Sequence, residues 1–374
     1  MDLLIDMSNM GVTTTLSITK MIFLWKNGEK LKVIMKRLEF SEFHHEKIDD
    51  FDPDAIIKSA KRTGTISCVM LWLFAQGVMM AGFAGPSTMS FWYYLHDVPI
   101  VNMTKYEHLP LKTFIPFKHD TPIKYFLGCA MQFVPLHLHV CVFMGVDSIF
   151  MNVINLIGAH MVMLTGAFRV LRKTCLKRIT GPALTPDGLY NSDSLEREMM
   201  FEMRKCIRHL QMLFLYIKSE AIEEKDIYTR CFRSCQQAEN IFQIMTFIQA
   251  LGSAYMIISS LLLMSTVPIY TDVFLRVVIY LVGVCVQLSL YCWTGNELTL
   301  KVNEVSQGLW ESDWLETRKP FKVCMIITMA KLQIPLHFTA GKFVPLILST
   351  QISVVKGSYS YYTLLNKTTV KKED

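Results

Sequence analysis

Long apolar stretches recur along the chain, and the segments between them hold most of its charge. The clearest runs from residue 65 to 85, uncharged between Lys61/Arg62 and Asp97 and rich in Ile66, Val69, Met70, Leu71, Trp72, Leu73 and Phe74. About 20 such residues cross a bilayer core of about 30 Å. Residues 121–168 hold only Lys124 and Asp147 as charges and are about twice as long as one crossing needs. No polar loop of useful length interrupts them near Gly145–Ser148, so the pattern predicts one long bent helix. Residues 241–267 carry no charge and 273–293 only Arg276, with the Pro268–Asp272 link between them, which reads as a hairpin of two spans. The segments 323–340 and 343–365 are broken at Pro335 and at Gly341-Lys342, and only the second reads as a crossing. Residues 3–25 are apolar but interrupted by Asp6, Lys20 and Thr13-Thr14-Thr15, without the basic start or cleavage site of a signal peptide.

Composition agrees with the pattern. Of 374 residues, 51% are apolar and 19% charged, against about 25% charged in ordinary soluble domains. An integral membrane protein accounts for this, whereas a soluble enzyme, a disordered chain or a nucleic-acid-binding domain does not, even with a net charge of +6. Nine Lys and Arg lie in 26–63 and thirteen in 169–238, against three in 86–120 and none in 268–272, so the first pair faces the cytosol. That orientation places both glycosylation sequons outside, Asn102-Met-Thr104 and Asn366-Lys-Thr368, with Asn102 the better acceptor because Asn366 sits against the last span. All ten cysteines fall in spans or on the inner side, so no structural disulfide is expected.

Few residue groupings suggest chemistry. His137-x-His139 with Cys141 splays around a helix and has no fourth ligand nearby, so no metal site is expected. Asp147 is costly against lipid and should face the bundle interior, in a functional role or a structural hydrogen bond. Residues 190–238 read as an amphipathic inner helix opened by Asp193 with Glu196 at capping-box spacing, its stripe running Leu195, Met199, Met203, Ile207, Leu210, Phe214 and Ile217. No phosphate loop, nucleophile elbow, zinc helix or paired-carboxylate motif is present, and neither catalysis nor a cofactor is implied.

The last third carries a specific set of motifs: Gly295-Asn296-Glu297-Leu298, Trp310-Glu-Ser312-Asp-Trp314, Arg318-Lys319, Leu332-Gln333-Ile334-Pro335-Leu336, Ala340-Gly341-Lys342-Phe343, and Val354-Val355-Lys356-Gly357-Ser358 running on to Leu365. In order and spacing these resemble the insect odorant receptor family. Upstream, Leu109-Pro110, Phe114-Ile-Pro116-Phe117, Gln132 and the inner-helix His209 fit the same resemblance, which covers roughly residues 60–365. The Thr-Tyr and Gln-Phe ending of the related gustatory receptors is absent.

The resemblance implies an all-α, polytopic seven-span bundle, of which about six spans stand in this chain, with a cytosolic helical anchor. The parts would be 1–60 (a second-span-like helix and first inner loop), 61–173 (third and fourth spans, with outer loop 86–120), 174–238 (amphipathic anchor helix), 239–294 (fifth and sixth spans), 295–341 (inner loop and inner part of the seventh helix) and 342–374 (pore-lining span and outer tail). A truncated or short form lacking the first span is an expectation that goes with this alignment, as is a non-gating fragment.

The implied function is that of an odorant-specific subunit of a ligand-gated, nonselective cation channel, heterotetrameric with the odorant receptor co-receptor. It would sit in the plasma membrane of olfactory sensory neurons, among membrane lipid, without a G protein or nucleic acid as partner. By position Leu364 matches the pore constriction, with Lys367 and Thr368 just outside it. His209, Trp310 and Trp314 fall in the subunit anchor, where a local cap at Trp314 is an equal alternative. A pocket for a small volatile apolar or aromatic odorant would draw on Thr13, Ser17, Gln76, Met79, Met80, Phe83, Phe133, His137, Val140, Phe274, Val277 and Tyr280.

Overall fold

A computed structural model describes residues 2–39, 44–95, 115–117, 122–180, 192–214, 234–333 and 338–370. Within them lie nine helices and one small hairpin: α1 (Asp2–Glu39), α2 (Pro53–Leu95), α3 (Pro122–Arg169), α4 (Leu171–Thr180), α5 (Asp193–Phe214), α6 (Ser234–Thr266), α7 (Asp272–Trp310), α8 (Lys319–Leu332), β1 (Thr339–Ala340), β2 (Val344–Pro345) and α9 (Leu348–Val370). The apolar block before Arg169 is one helix of 48 residues with Pro135 inside it. Proline removes one backbone donor there, and the helix runs on through it.

At about 1.5 Å per residue, α3 extends about 70 Å and the 39-residue α7 about 60 Å, each roughly twice a bilayer core. Both therefore continue well beyond any crossing, and α4, α5 and α8 gather around their far ends. Along the apolar parts, large side chains point outward: Ile66, Met70 and Leu73 on α2, Phe126, Met131 and Leu138 on α3, and Ile244 and Leu251 on α6 are all exposed. That is the inverse of a soluble bundle and what hydrocarbon solvates. Farther along, the arrangement reverts to a water-type core in which Ile157, Met161 and Leu164 of α3, Leu195 and Met203 of α5, Val305 and Leu309 of α7 and Phe321 of α8 are almost wholly enclosed.

Among the described residues, four helical stretches are long and apolar enough to cross a membrane on those criteria alone: Pro53–Ala81, Ile123–Arg169, Ala238–Thr266 and Val273–Trp310. The two others expected to cross, in α1 and α9, have the length but are diluted by Lys20 and the threonine cluster and by Ser353, Lys356, Ser358 and Ser360. Both pack along the same bundle, α1 on α3 and α6, α9 on α6 and α7.

The break at Gly341-Lys342 is a hairpin turn. Phe343 N–H closes onto Ala340 O at 3.3 Å, with Gly341 (φ 63°) and Lys342 (φ 65°) both left-handed, as a primed turn requires. Gly341 also donates its N–H to Gln243 O at 2.9 Å, and a Cβ there would come within 2.9 Å of the Phe247 ring. Gly295 of α7 is equally constrained, since its Cβ would lie 2.3 Å from Leu346 O.

The expected capping box on the amphipathic helix is corrected. Asp193 is the first helical residue, and Ser192 caps the helix by accepting the Leu195 N–H at 3.2 Å. Asp193 and Glu196 turn outward instead to hold Arg318, Glu196 accepting its backbone N–H at 2.7 Å and Asp193 its guanidinium. The two acids thus tie α5 to the start of α8. The helix is described only to Phe214, and Ile217 lies outside the described residues.

Candidate functional site

Several of the expected pocket residues pair in two groups, one on α1 and α7 with Met256 of α6, the other on α2 and α3. Thr13 and Tyr280 share a hydroxyl–hydroxyl hydrogen bond of 2.9 Å, and Met256 Sδ lies 2.9 Å from the Tyr280 oxygen. Either hydroxyl can donate in that pair, Thr13 having Asn9 O at 2.8 Å and Tyr280 having Met256 Sδ as the other acceptor of its single proton. In the second group, Phe83 meets Phe133 edge-on with centroids 5.4 Å apart, and Phe133 stacks on His137 at 5.8 Å. His137 Nε2 sits 3.7 Å from Cys141 Sγ one turn on. Ser17 reaches His139 O at 3.5 Å, which keeps α1 in register with α3.

Among the described residues, Gln76 Nε2 and His137 Nδ1 are buried without a hydrogen-bond partner. A buried amide donor left unmade costs about 1–3 kcal/mol, so Gln76 Nε2 is poised toward an added acceptor, while His137 Nδ1 can take a donor or an acceptor according to its tautomer. Met79 is buried and Val140, Phe274 and Val277 are half-buried, but Met80 is 47% exposed on the outward face of α2. Met79 and Met80 are successive on a helix and cannot face the same way. A cavity of about 460 Å³ lies elsewhere, at the opposite ends of α2, α3 and α7.

Below this level, Asp147 is the hub of a buried polar network. Lys20 Nζ lies 2.5 Å from its Oδ1 and 3.5 Å from the Phe143 ring centroid. Gln287 donates to Oδ2 at 2.7 Å, Tyr291 OH donates to Oδ1, and Gln249 donates to Gln287 at 3.1 Å. Lys20 and Asp147 are 1% and 3% exposed, which only mutual neutralisation makes tolerable in an apolar bundle. The network joins α1, α3, α6 and α7. On a different face of the same helix, Ser289 accepts from Gln351 of α9 at 2.5 Å and donates to Cys285 O at 2.7 Å, so α7 carries both the Asp147 network and a separate polar link to α9. Asp147 was expected to face inward, but its partner was not found in the sequence. The signal was Lys20, a lone cation in the most doubtful span.

The comparisons with known proteins bear on this helical arrangement. The family described as 7tm Odorant receptor matches residues 1–359. The chain belongs to the odorant receptor family. Among curated relatives, it is 27% identical to Odorant receptor 42a of Drosophila melanogaster over 94 residues, 25% of this chain and 23% of that one. It is 21% identical to Odorant receptor 10 of Aedes albopictus over 140 residues, 37% of each chain. These matches therefore span about a quarter to two-fifths of the relatives' own length. The olfactory receptor OR5 of Machilis hrabei, solved in complex with eugenol, has the same fold at a TM-score of 0.65 and 13% identity, covering 96% of this chain and 79% of that one.

In this odorant receptor the remaining expected residues are placed as follows. Leu364 is 60% exposed on α9. Lys367 and Thr368 continue the helix, while their side chains, like all of Asn102, lie outside the described residues. Trp310 is 57% exposed at the end of α7. Trp314 donates its indole N–H to Trp310 O at 3.1 Å, closing the turn before α8, and Lys322 lies 5.9 Å above its ring.

His209 is fully buried in a chain of three histidines. His160 Nε2 lies 2.8 Å from Leu38 O, His160 Nδ1 3.0 Å from His209 Nε2, and His209 Nδ1 3.0 Å from His45 Nε2. A carbonyl only accepts, so His160 must carry its proton on Nε2, and each imidazole then accepts at Nδ1 and donates at Nε2. Burial and the neighbouring histidines hold His209 well below the usual histidine range, and burial with Lys205 nearby takes His45 down to about 4. His45 and His160 carried no signal in the sequence.

Proposed function

We propose that this receptor binds a small volatile odorant at the outer cluster and opens a cation pore lined by α9, in a heterotetramer with the odorant receptor co-receptor in the plasma membrane of olfactory sensory neurons. The observation that carries this reading is that α7 holds both the Asp147 network, through Gln287 and Tyr291, and a separate bond to Gln351 of α9, through Ser289, so one helix adjoins both the outer cluster and the proposed pore helix. Phe83, Phe133 and His137 would supply a flat aromatic wall, and Thr13, Tyr280 and Met256 a second face with one hydroxyl pair. The unmet Gln76 donor and the His137 ring nitrogen suit a ligand with one hydrogen-bonding group on an apolar or aromatic frame.

Ligand binding that separates or draws together α1, α3 and α7 changes the geometry at Ser289 and so the seating of α9. An outward ring of apolar side chains at Leu364 would close the pore by dewetting. Co-expression with the co-receptor and current recording over an odorant panel tests the reading. Alanine at Phe83, His137 or Tyr280 should shift dose–response curves to higher concentration with unchanged surface expression. Curves that do not move would refute the placement, and absence of any odorant-evoked current from the co-expressed pair would refute the gating role.

A further inference from the structure

The 460 Å³ cavity is far from the outer cluster, where the charged beginning of α2 gives way to its uncharged stretch. It is a hollow open on one side. Ala55, Ser59 and Thr63 form one wall at steps of four along α2, Asn155 and Ala159 of α3 form the back, and Lys301 of α7 enters it. Small residues create the space. Lys301 lies across Gly158, its Nζ 3.3 Å from where a Cβ on that glycine would stand, and Asn155 uses its amide on Ala60 O at 2.7 Å, joining the walls.

The charges lining the hollow do not cancel one another. Asp52 is satisfied, with Lys47 2.5 Å from its Oδ2 and the Ala55 N–H on its Oδ1 at 3.1 Å, where it caps α2. Lys301 and Asp50 have no ion pair among the described residues, although both line the same cavity. A half-buried ammonium and a separate carboxylate at one hollow call for a ligand that carries both signs. Immediately beyond Thr63, the outward face of α2 continues as Ile66, Met70 and Leu73, each more than half exposed and suited to acyl chains. The level is that of a membrane–water interface, since Lys58, Lys61 and Arg62 flank the hollow on α2 and uncharged residues follow.

We infer that this hollow is a binding site for a phosphoethanolamine group, supplied by an aminophospholipid of the adjoining leaflet. Its phosphate sits against the Lys301 ammonium with the Ser59 and Thr63 hydroxyls at the mouth, its ammonium lies toward Asp50, and its tails run along Ile66, Met70 and Leu73. The site wedges α2 against α3 and α7, and the bound lipid stabilises their inner ends.

The test uses the full-length chain purified in detergent, stripped of lipid, and re-exposed to phosphatidylethanolamine, phosphatidylcholine or phosphatidylglycerol in mixed micelles, with retained lipid read by native mass spectrometry and stability by thermal unfolding. Phosphatidylethanolamine should be retained preferentially and raise the unfolding midpoint. Lys301→Gln should weaken retention about tenfold, the scale of a lost charged hydrogen bond, and Asp50→Asn should abolish the preference over phosphatidylglycerol while leaving retention itself. Lys301 and Asp50 hold no partner within the described fold, so both variants should elute and melt as the parent does without lipid. Retention unaffected by Lys301→Gln overturns the site. Equal retention of phosphatidylcholine, whose quaternary ammonium cannot donate, overturns the role of Asp50. Equal stabilisation by soluble phosphoethanolamine overturns the lipid as its source.

Discussion

Replacing His209 by Phe keeps the volume of a ring in the inner core but cuts the histidine chain at its centre. It strands two groups, the Nε2–H of His45 and the Nδ1 of His160. Each unmade buried hydrogen bond costs about 1–3 kcal/mol, which places the loss at about 2–6 kcal/mol. The pH dependence gives a second, independent reading. In the native state His45 resists protonation until about pH 4, whereas unfolded it titrates near 6.5. Between those values the unfolded chain binds more protons, so stability falls as pH falls. The contribution is complete above pH 6.5, is lost progressively toward pH 4, and amounts to about 3 kcal/mol for His45 alone at about 1.4 kcal/mol per unit. His209, also held low, adds to the same window.

The groups facing the chain are Lys205, His44 and the Leu38 carbonyl, and none supplies a carboxylate that would reverse the sign. Thermal unfolding of the purified receptor, followed by tryptophan fluorescence from pH 7.5 to 5, should show a falling midpoint. His209→Phe should melt lower at pH 7.5 and show a shallower slope. Parallel pH profiles for the parent and the variant would refute the directional chain and its neutral histidines.

Three other changes probe separate parts of the fold. Asp147→Asn or Lys20→Met alone leaves a buried charge uncompensated and should cost about 3–5 kcal/mol, while the double change should recover much of it, as surface expression and melting of the three variants would show. Gly295→Ala sets a methyl carbon where only 2.3 Å separates it from Leu346 O, so the 339–346 hairpin must shift and odorant-evoked current should fall more than expression does. Lys367→Gln removes a cation beside the proposed constriction and should raise relative calcium permeability, measured from reversal potentials; an unchanged ratio would count against a place in the ion path.

Much of the helical frame was legible from apolar runs, because a membrane forces long uninterrupted segments. The block ending at Arg169 had no polar loop to turn on and is a single helix. What hydropathy could not supply was pairing across distance. Lys20 reads as a flaw in a span until Asp147, 127 positions away, is beside it, and His45, His160 and His209 come together from three segments. Facing was partly legible: Phe83, Phe133 and His137 meet, whereas Met80 turns outward because a helix separates adjacent side chains by about 100°. Asp193 and Glu196 had the spacing of a cap, but the N-terminal donors were already served by Ser192, and Arg318 offered a better partner than a shared amide.

The tightly enclosed core at the far ends of α3 and α7 leaves the outer turns with comparatively few obligations. Substitutions near Phe83 or Tyr280 change what is touched there without loosening Met161, Leu195 or Phe321. A lineage of such proteins can therefore diversify its chemical repertoire at one end while inheriting its foldedness from the other.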